Sequence, residues 1–250
     1  MKLLFLGTGT STGVPQIGCQ CATCRSLDPA DKRLRASALL KADGKNILID
    51  CGPDFRMQML TANAPSLDAL LVTHSHYDHV GGIDDLRPYC FNRDFPVYCQ
   101  ADVAKDLRER VPYCFYEHLY PGVPTFALNI IEANKPVDVE GLKVLPLQVM
   151  HYNLPILGYR IGDFAYITDC KTMPDETIEA LKGVKTLVLN ALRHEEHMSH
   201  LSLKEAMALV EIIKPKETYF THFSHQIGPE AQLRLPDGMH MAHDFMEIEI

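Results

Sequence analysis

The chain has 250 residues, 46% hydrophobic and 22% charged, a balance that excludes disorder and fibrous repeats and predicts a soluble globular protein. Its 24 Lys and Arg against 32 Asp and Glu leave a net charge of −8, and the basic residues are scattered, so no field gathers a polyanion and a nucleic-acid partner is disfavoured. No apolar run reaches the roughly 18 residues that span a bilayer. The opening apolar run stops at Gly7 with no small-residue cleavage site after it, so no membrane partner and a cytoplasmic location are expected.

In chain order, the opening residues read as a first strand. Residues 36–41 and 46–51 flank Asp43-Gly44, a dipeptide suited to positive φ, and predict a hairpin. A helical pattern follows over 54–61, strands over 69–73 and 96–99, and a helix over 101–110. Further strands are predicted over 142–150, 158–161 and 164–168, a helix over 174–182, and a strand over 186–191. The helix over 202–213 opens on Ser202 as N-cap with Glu205 at the capping-box position. Strands over 218–221 and 245–250 complete the pattern. Such mixing predicts an α/β protein, and with no linker, low-complexity tract or repeat, residues 1–250 read as one domain.

Two segments carry chemistry. His74-Ser75-His76-Tyr77-Asp78-His79 puts three imidazoles and a carboxylate after a predicted strand. Imidazole nitrogens and carboxylate oxygens are the ligands of zinc, manganese or iron, and His-X-His spacing lets two rings converge on one ion. The second segment holds three of the eight cysteines, Cys19, Cys21 and Cys24. A large chain without an export signal argues against disulfides there, and three thiolates leave a tetrahedral zinc one ligand short. His225 is the candidate fourth ligand for a structural zinc. Gly7-Thr8-Gly9-Thr10-Ser11-Thr12-Gly13 looks like a phosphate cradle, but it lacks the Gly-Lys-Ser/Thr ending and no helix pattern follows, so it is not read as a nucleotide site.

Thr73-His74-Ser75-His76-Tyr77-Asp78-His79-Val80-Gly81-Gly82 resembles the signature of the metallo-β-lactamase superfamily of hydrolases. That resemblance implies an αββα sandwich of two mixed sheets with helices outside, and two divalent ions, zinc or manganese. It assigns His74, His76 and His151 to one ion, Asp78, His79 and His222 to the other, and Asp169 as the bridge. Electron-transfer relatives carry an acidic residue at the position of His76; the histidine here implies hydrolysis. Cys170 follows the bridge position, and strand alternation turns it to the other face as a core residue.

The opening Leu6-Gly7-Thr8-Gly9-Thr10-Ser11-Thr12-Gly13-Val14-Pro15 and the Cys19, Cys21, Cys24, His225 set resemble, more narrowly, the phosphoribosyl cyclic phosphate phosphodiesterases of the carbon-phosphorus lyase pathway. This implies a small cyclic phosphodiester of a sugar as substrate, with nucleotide and other small phosphodiesters next, the glycine loop beside the metals, and His200 acting with Asp78 in catalysis. Spacing alone does not choose among His194, His197 and His200; the resemblance picks His200 and leaves the other two expected at the surface. RNA processing, thioester or lactone hydrolysis and a metal-binding scaffold are the rival readings. A homodimer is left open.

Overall fold

Alternation along the first strand sets the layers. The computed structural model describes residues 1–64, 66–91 and 93–250. In it β1 (Lys2–Gly7) turns Leu3 and Phe5 to one side and Leu4 and Leu6 to the other, as the two-residue period of a strand requires. With β1, a first sheet is built by β2 (Ser37–Ala42), β3 (Lys45–Ile49), β4 (Ala69–Leu71), β5 (Phe95–Cys99) and β6 (Phe126–Ile130). A second comprises β7 (Val137–Val139), β8 (Leu142–His151), β9 (Leu154–Ile161), β10 (Phe164–Ile167), β11 (Thr186–Asn190), β12 (Glu217–Thr221) and β13 (Met239–Met241). The last strand, β14 (Glu247–Glu249), returns to the first sheet beside β1. Each sheet begins antiparallel and continues parallel, with β3 to β6 and β10 to β13 the parallel halves.

Leu3, Phe5, Leu40, Ile49 and Leu71 meet Val144, Leu157, Tyr159, Phe164 and Val188 between the sheets. Among the described residues six α-helices punctuate the strands: α1 (Ala22–Arg25), α2 (Phe55–Ala62), α3 (Tyr77–Val80), α4 (Ala101–Arg110), α5 (Asp175–Leu181) and α6 (Leu203–Ile213). Phe55 and Met59 of α2 and Val103 and Leu107 of α4 cover the outer face of the first sheet; Leu181 of α5 and Ala206 and Val210 of α6 cover that of the second. This is the expected αββα sandwich. Each fully buried Leu or Phe contributes about 1.5–3 kcal/mol, so the three apolar layers, rather than the loops, give the frame its rigidity.

Local signals hold where they are covalently close. Asp43 and Gly44 take φ 49° and 78° in the β2–β3 turn. Ser202 Oγ accepts from Glu205 N while Glu205 Oε2 accepts from Ser202 N at 2.8 Å, the reciprocal cap of α6. The strand expected over 158–161 starts earlier, at Leu154, because a two-residue turn brings Leu154 opposite His151 and pairing runs from there. The final strand shrinks to Glu247–Glu249, and β6, β7 and β13, all at or next to sheet edges, had no clear alternation to reveal them.

Candidate metal centre

The strand ends deliver the histidines. After β4 stops at Leu71, Thr73 N and Thr73 Oγ1 each donate to the Asp50 carboxylate at 2.8 Å, fixing where the His-rich loop begins. His76 is the N-cap of α3, and Asp78 and His79 lie on that short helix. Ser75, between the first two histidines, is held by α4: its hydroxyl donates to Asp106 and its carbonyl accepts from Arg110 Nη2 at 2.8 Å. From the second sheet, His151 ends β8, Asp169 lies two residues past β10, and His222 follows β12 directly.

The structure brings all seven together with His200. Asp78, His79, Asp169 and His222 place ligand atoms within 4.8 Å of one another, as do His74, His76 and Asp169, and His151, Asp169 and His200. Asp169 is common to the three groups. The ring centroids of His74 and His76 are 4.5 Å apart and those of His76 and His151 5.0 Å. His151 Nδ1 lies 2.9 Å from both the Asp169 and Ser199 carbonyls, which leaves its other nitrogen as the one to offer. Asp50, Asp169 and His222 all take positive φ, 61°, 53° and 60°, a conformation that non-glycine residues keep only where the surroundings over-determine it and that concentrates at functional sites.

Charge is balanced tightly among these mostly buried groups. Burial opposes the imidazolium of His79, yet Asp169, Asp78 and Asp50 hold it well above the ordinary value. Burial, then the neighbouring His79, pushes His74 well below it, and burial takes His222 down to about 4. Burial likewise works against ionising Asp169, but His222 and His79 keep its carboxyl well below the usual range. Two atoms stand out: His74 Nε2 and His79 Nε2 are sealed from solvent and make no well-formed hydrogen bond among the described residues, with only carboxylate oxygens of Asp169 and Asp78 at 3.3 to 3.7 Å. An orphaned buried nitrogen is costly. A divalent cation accepting these lone pairs removes the penalty, and imidazole and carboxylate donors suit such ions.

Asp50 is the main residue the sequence reading missed. It is fully buried and accepts from His79 Nδ1 at 2.7 Å, which turns Nε2 toward the cluster. It follows the apolar strand Ile47-Leu48-Ile49 directly, a position that any turn carboxylate could occupy. Thr10 was missed too; its Oγ1 is 3.1 Å from His222 Nε2, so the glycine loop does lie beside the cluster. Close approach explains the glycine at position 7, where a Cβ would fall 2.1 Å from the Arg35 carbonyl.

Among the three loop histidines, His200 faces the cluster, with Nε2 3.4 Å from Asp169 Oδ2. His194 is exposed, as expected, with Nε2 3.0 Å from the Ile227 carbonyl. His197 departs from the surface expectation: its Nδ1 is 3.3 Å from His200 Nδ1 and 3.2 Å from Ser199 Oγ, because Arg193 gathers the loop through the carbonyls of Glu195 and Glu196. Cys170 is buried in the outer layer of the second sheet, as alternation implied.

Cys19, Cys21, Cys24 and His225 form a separate group, again with ligand atoms within 4.8 Å. His225 Nδ1 is 3.5 Å from Cys19 Sγ and 3.3 Å from Cys21 Sγ. Cys21 caps α1, and the Cys24 amide donating to its sulfur is the leading cause that brings its thiol down to about 6. Burial pushes Cys24 up to about 11. A low thiol beside two more thiols and an imidazole suits zinc.

Comparison with known proteins agrees with this geometry. The octanoyltransferase of Porphyromonas gingivalis (strain ATCC BAA-308 / W83) is 45% identical over 251 residues, covering 99% of this chain but 51% of that protein, so the chain spans about half the length of that relative. A crystal structure of a new diphosphatase from the PhnP family superposes with a TM-score of 0.92 at 38% identity, covering 100% of this chain and 97% of that one. Zinc-bound PqqB from Methylobacterium extorquens, 19% identical, shares the fold over 100% of both chains with a TM-score of 0.81. Residues 45–223, which carry the histidine loop, His151, Asp169 and His222, match the beta-lactamase superfamily domain, and the chain belongs to the metallo-β-lactamase superfamily of hydrolases.

Proposed function

We propose that the protein is a metal-dependent phosphodiesterase acting on a small phosphodiester, cyclic or nucleotide-like, with His74, His76 and His151 holding one divalent ion, Asp78, His79 and His222 a second, and Asp169 both. The observation that carries the reading is the position of His200, an imidazole outside the seven assigned ligands whose Nε2 lies 3.4 Å from the shared carboxylate of Asp169. When bound, the ions supply Lewis acidity, acidifying a water and offsetting the charge of the phosphoryl oxygens. The chain's own residues do the rest. Asp50 orients His79, and Thr10 steadies His222. As the water, one of whose protons passes to solvent, adds to phosphorus and the bond to the leaving oxygen breaks, that oxygen takes the proton carried on His200 Nε2, which solvent then restores. Ser199 and His197, at 2.9 and 3.3 Å from His200 Nδ1, hold the ring in this aim.

A net charge of −8 supports a small substrate over RNA. Acyl transfer belongs by name to the longer P. gingivalis relative. Cys170, next to Asp169 in the chain, has a thiol pushed far up by burial and hydrogen-bonded to the Thr172 carbonyl, which disfavours it as an acyl carrier. The phosphodiesterase reading is tested with the metal-loaded protein on cyclic phosphodiesters, linear phosphodiesters, RNA and thioesters. His200→Ala is expected to slow an alkyl phosphodiester by roughly 10²- to 10⁴-fold and a nitrophenyl phosphodiester far less, since nitrophenolate leaves without a proton. Equal slowing of both would refute the acid role.

A further inference from the structure

His151 pairs with Leu154, so Tyr152 and Asn153 alone make the turn from β8 to β9. Tyr152 takes φ +54° there. Glycine and asparagine enter this region readily, whereas a bulky side chain is an outlier in it. An asparagine stands one position later; the tolerant residue and the strained position are adjacent but not matched. Core packing does not explain the choice, because Tyr152 is 55% exposed.

Tyr152 instead lines a pocket of about 480 Å³ together with His76, His151, Asn153, Leu154, Met198 and Ser199. Two of these are the candidate metal ligands, so the pocket opens directly off the cluster and receives whatever group hangs from a phosphoryl held there. Met198, which lines the same pocket, is 65% exposed. Its thioether and the Tyr152 ring offer two flat or adaptable apolar surfaces. The Asn153 amide and the Ser199 hydroxyl add hydrogen-bonding groups that carry no charge. No lysine or arginine is among the described residues lining the pocket, which disfavours a substituent bearing a second phosphate. A flat, neutral group with a hydrogen-bonding edge satisfies every wall.

We propose that Tyr152 and Met198 form a stacking platform for a nucleobase, making the substrate a nucleoside phosphodiester, and that the strained turn persists because it aims the Tyr152 ring. This rests on the phosphodiesterase reading, and a binding measurement separates the two. Using the metal-loaded protein, calorimetry compares AMP with ribose 5-phosphate on the wild type, Tyr152→Phe and Tyr152→Gly. AMP is expected to bind the wild type and Tyr152→Phe about tenfold more tightly than ribose 5-phosphate, the worth of one base–aromatic stack. In Tyr152→Gly that preference disappears, ribose 5-phosphate binding is unchanged, and the melting temperature does not fall, since glycine suits positive φ.

Equal binding of the two ligands by the wild type overturns the platform, as does undiminished AMP binding in Tyr152→Gly. A melting temperature lowered by more than a few degrees makes Tyr152 a packing residue and overturns the argument from strain. An alkyl phosphate bound as tightly as AMP makes the pocket an acyl slot. If AMP binds as expected but 2′,3′-cyclic AMP is not hydrolysed, the activity fails and the platform stands. If 2′,3′-cyclic AMP and the base-free methyl riboside cyclic phosphate are hydrolysed with the same KM, the platform fails and the activity stands.

Discussion

Replacing Asp50 with Asn keeps the volume and removes only one option, that both oxygens accept. Oδ1 receives Thr73 N, and Oδ2 receives both Thr73 Oγ1 and His79 Nδ1. If the amide oxygen of Asn takes the first place, its NH₂ faces His79 Nδ1. That nitrogen must then accept, which moves the imidazole proton to Nε2 and blocks the lone pair aimed at the cluster. If the amide is turned over, its NH₂ meets the Thr73 N–H, and a buried donor goes unpaired at a cost of about 1–3 kcal/mol. The first arrangement spares the fold and sacrifices the ligand. We therefore expect Asp50→Asn to lose about 1–3 kcal/mol at most in metal-free urea unfolding, and to bind zinc roughly 10- to 100-fold more weakly in competition with a chromophoric chelator. Unchanged zinc affinity in a folded Asp50→Asn variant would show that Asp50 does not set the tautomer of His79, and the argument from its three hydrogen bonds would collapse.

Cys21→Ser should release zinc from the thiol site and lower the melting temperature, while turnover per folded molecule is kept; loss of turnover with zinc content and melting temperature intact would put the cysteines in the chemistry. Gly52→Ala should weaken both metal binding and stability, because a Cβ there lies 2.1 Å from the Asp78 carbonyl and overpacking of this kind costs about 1–3 kcal/mol; wild-type values for both would contradict the close approach. His79, held protonated by its three carboxylates, should give up its proton when metal binds, so affinity rises with pH through its raised folded value. In the metal-free protein the stabilisation from this pairing is complete below the ordinary imidazole value and fades as pH climbs through the raised one. Calorimetry in two buffers of different ionisation enthalpy reads the proton, and identical heats would rule the release out.

What the sequence made legible was whatever local pattern specifies. His74 to His79 sit within six positions, and Ser202 with Glu205 spans one turn, so each could be read without knowing what packs nearby. His151, Asp169 and His222 carry no local mark; only the resemblance ordered them, and only the meeting of two sheets gives them a common centre. Asp50 shows the limit more sharply. Its importance lies in a hydrogen bond to a residue 29 positions away, and nothing in Ile49-Asp50-Cys51 distinguishes a buried acceptor from an ordinary turn carboxylate. His197 was misplaced for a similar reason, since the fold of its loop depends on Arg193 reaching forward to two carbonyls. The edge strands β6, β7 and β13 were illegible because a strand paired on one side needs little alternation.

The closing contacts of both clusters join the two ends of the chain. Thr10 meets His222 across 212 positions and Cys21 meets His225 across 204, while Lys2 pairs with Glu249 at the edge of the first sheet. During synthesis the histidine loop and the three cysteines therefore emerge from the ribosome long before the residues that complete their coordination. At roughly 5–20 residues per second, some ten seconds or more separate the first thiol from its imidazole. A metal at either cluster would therefore find its full set of ligands only once translation has passed His222 and His225, and until then the early thiols are without their imidazole.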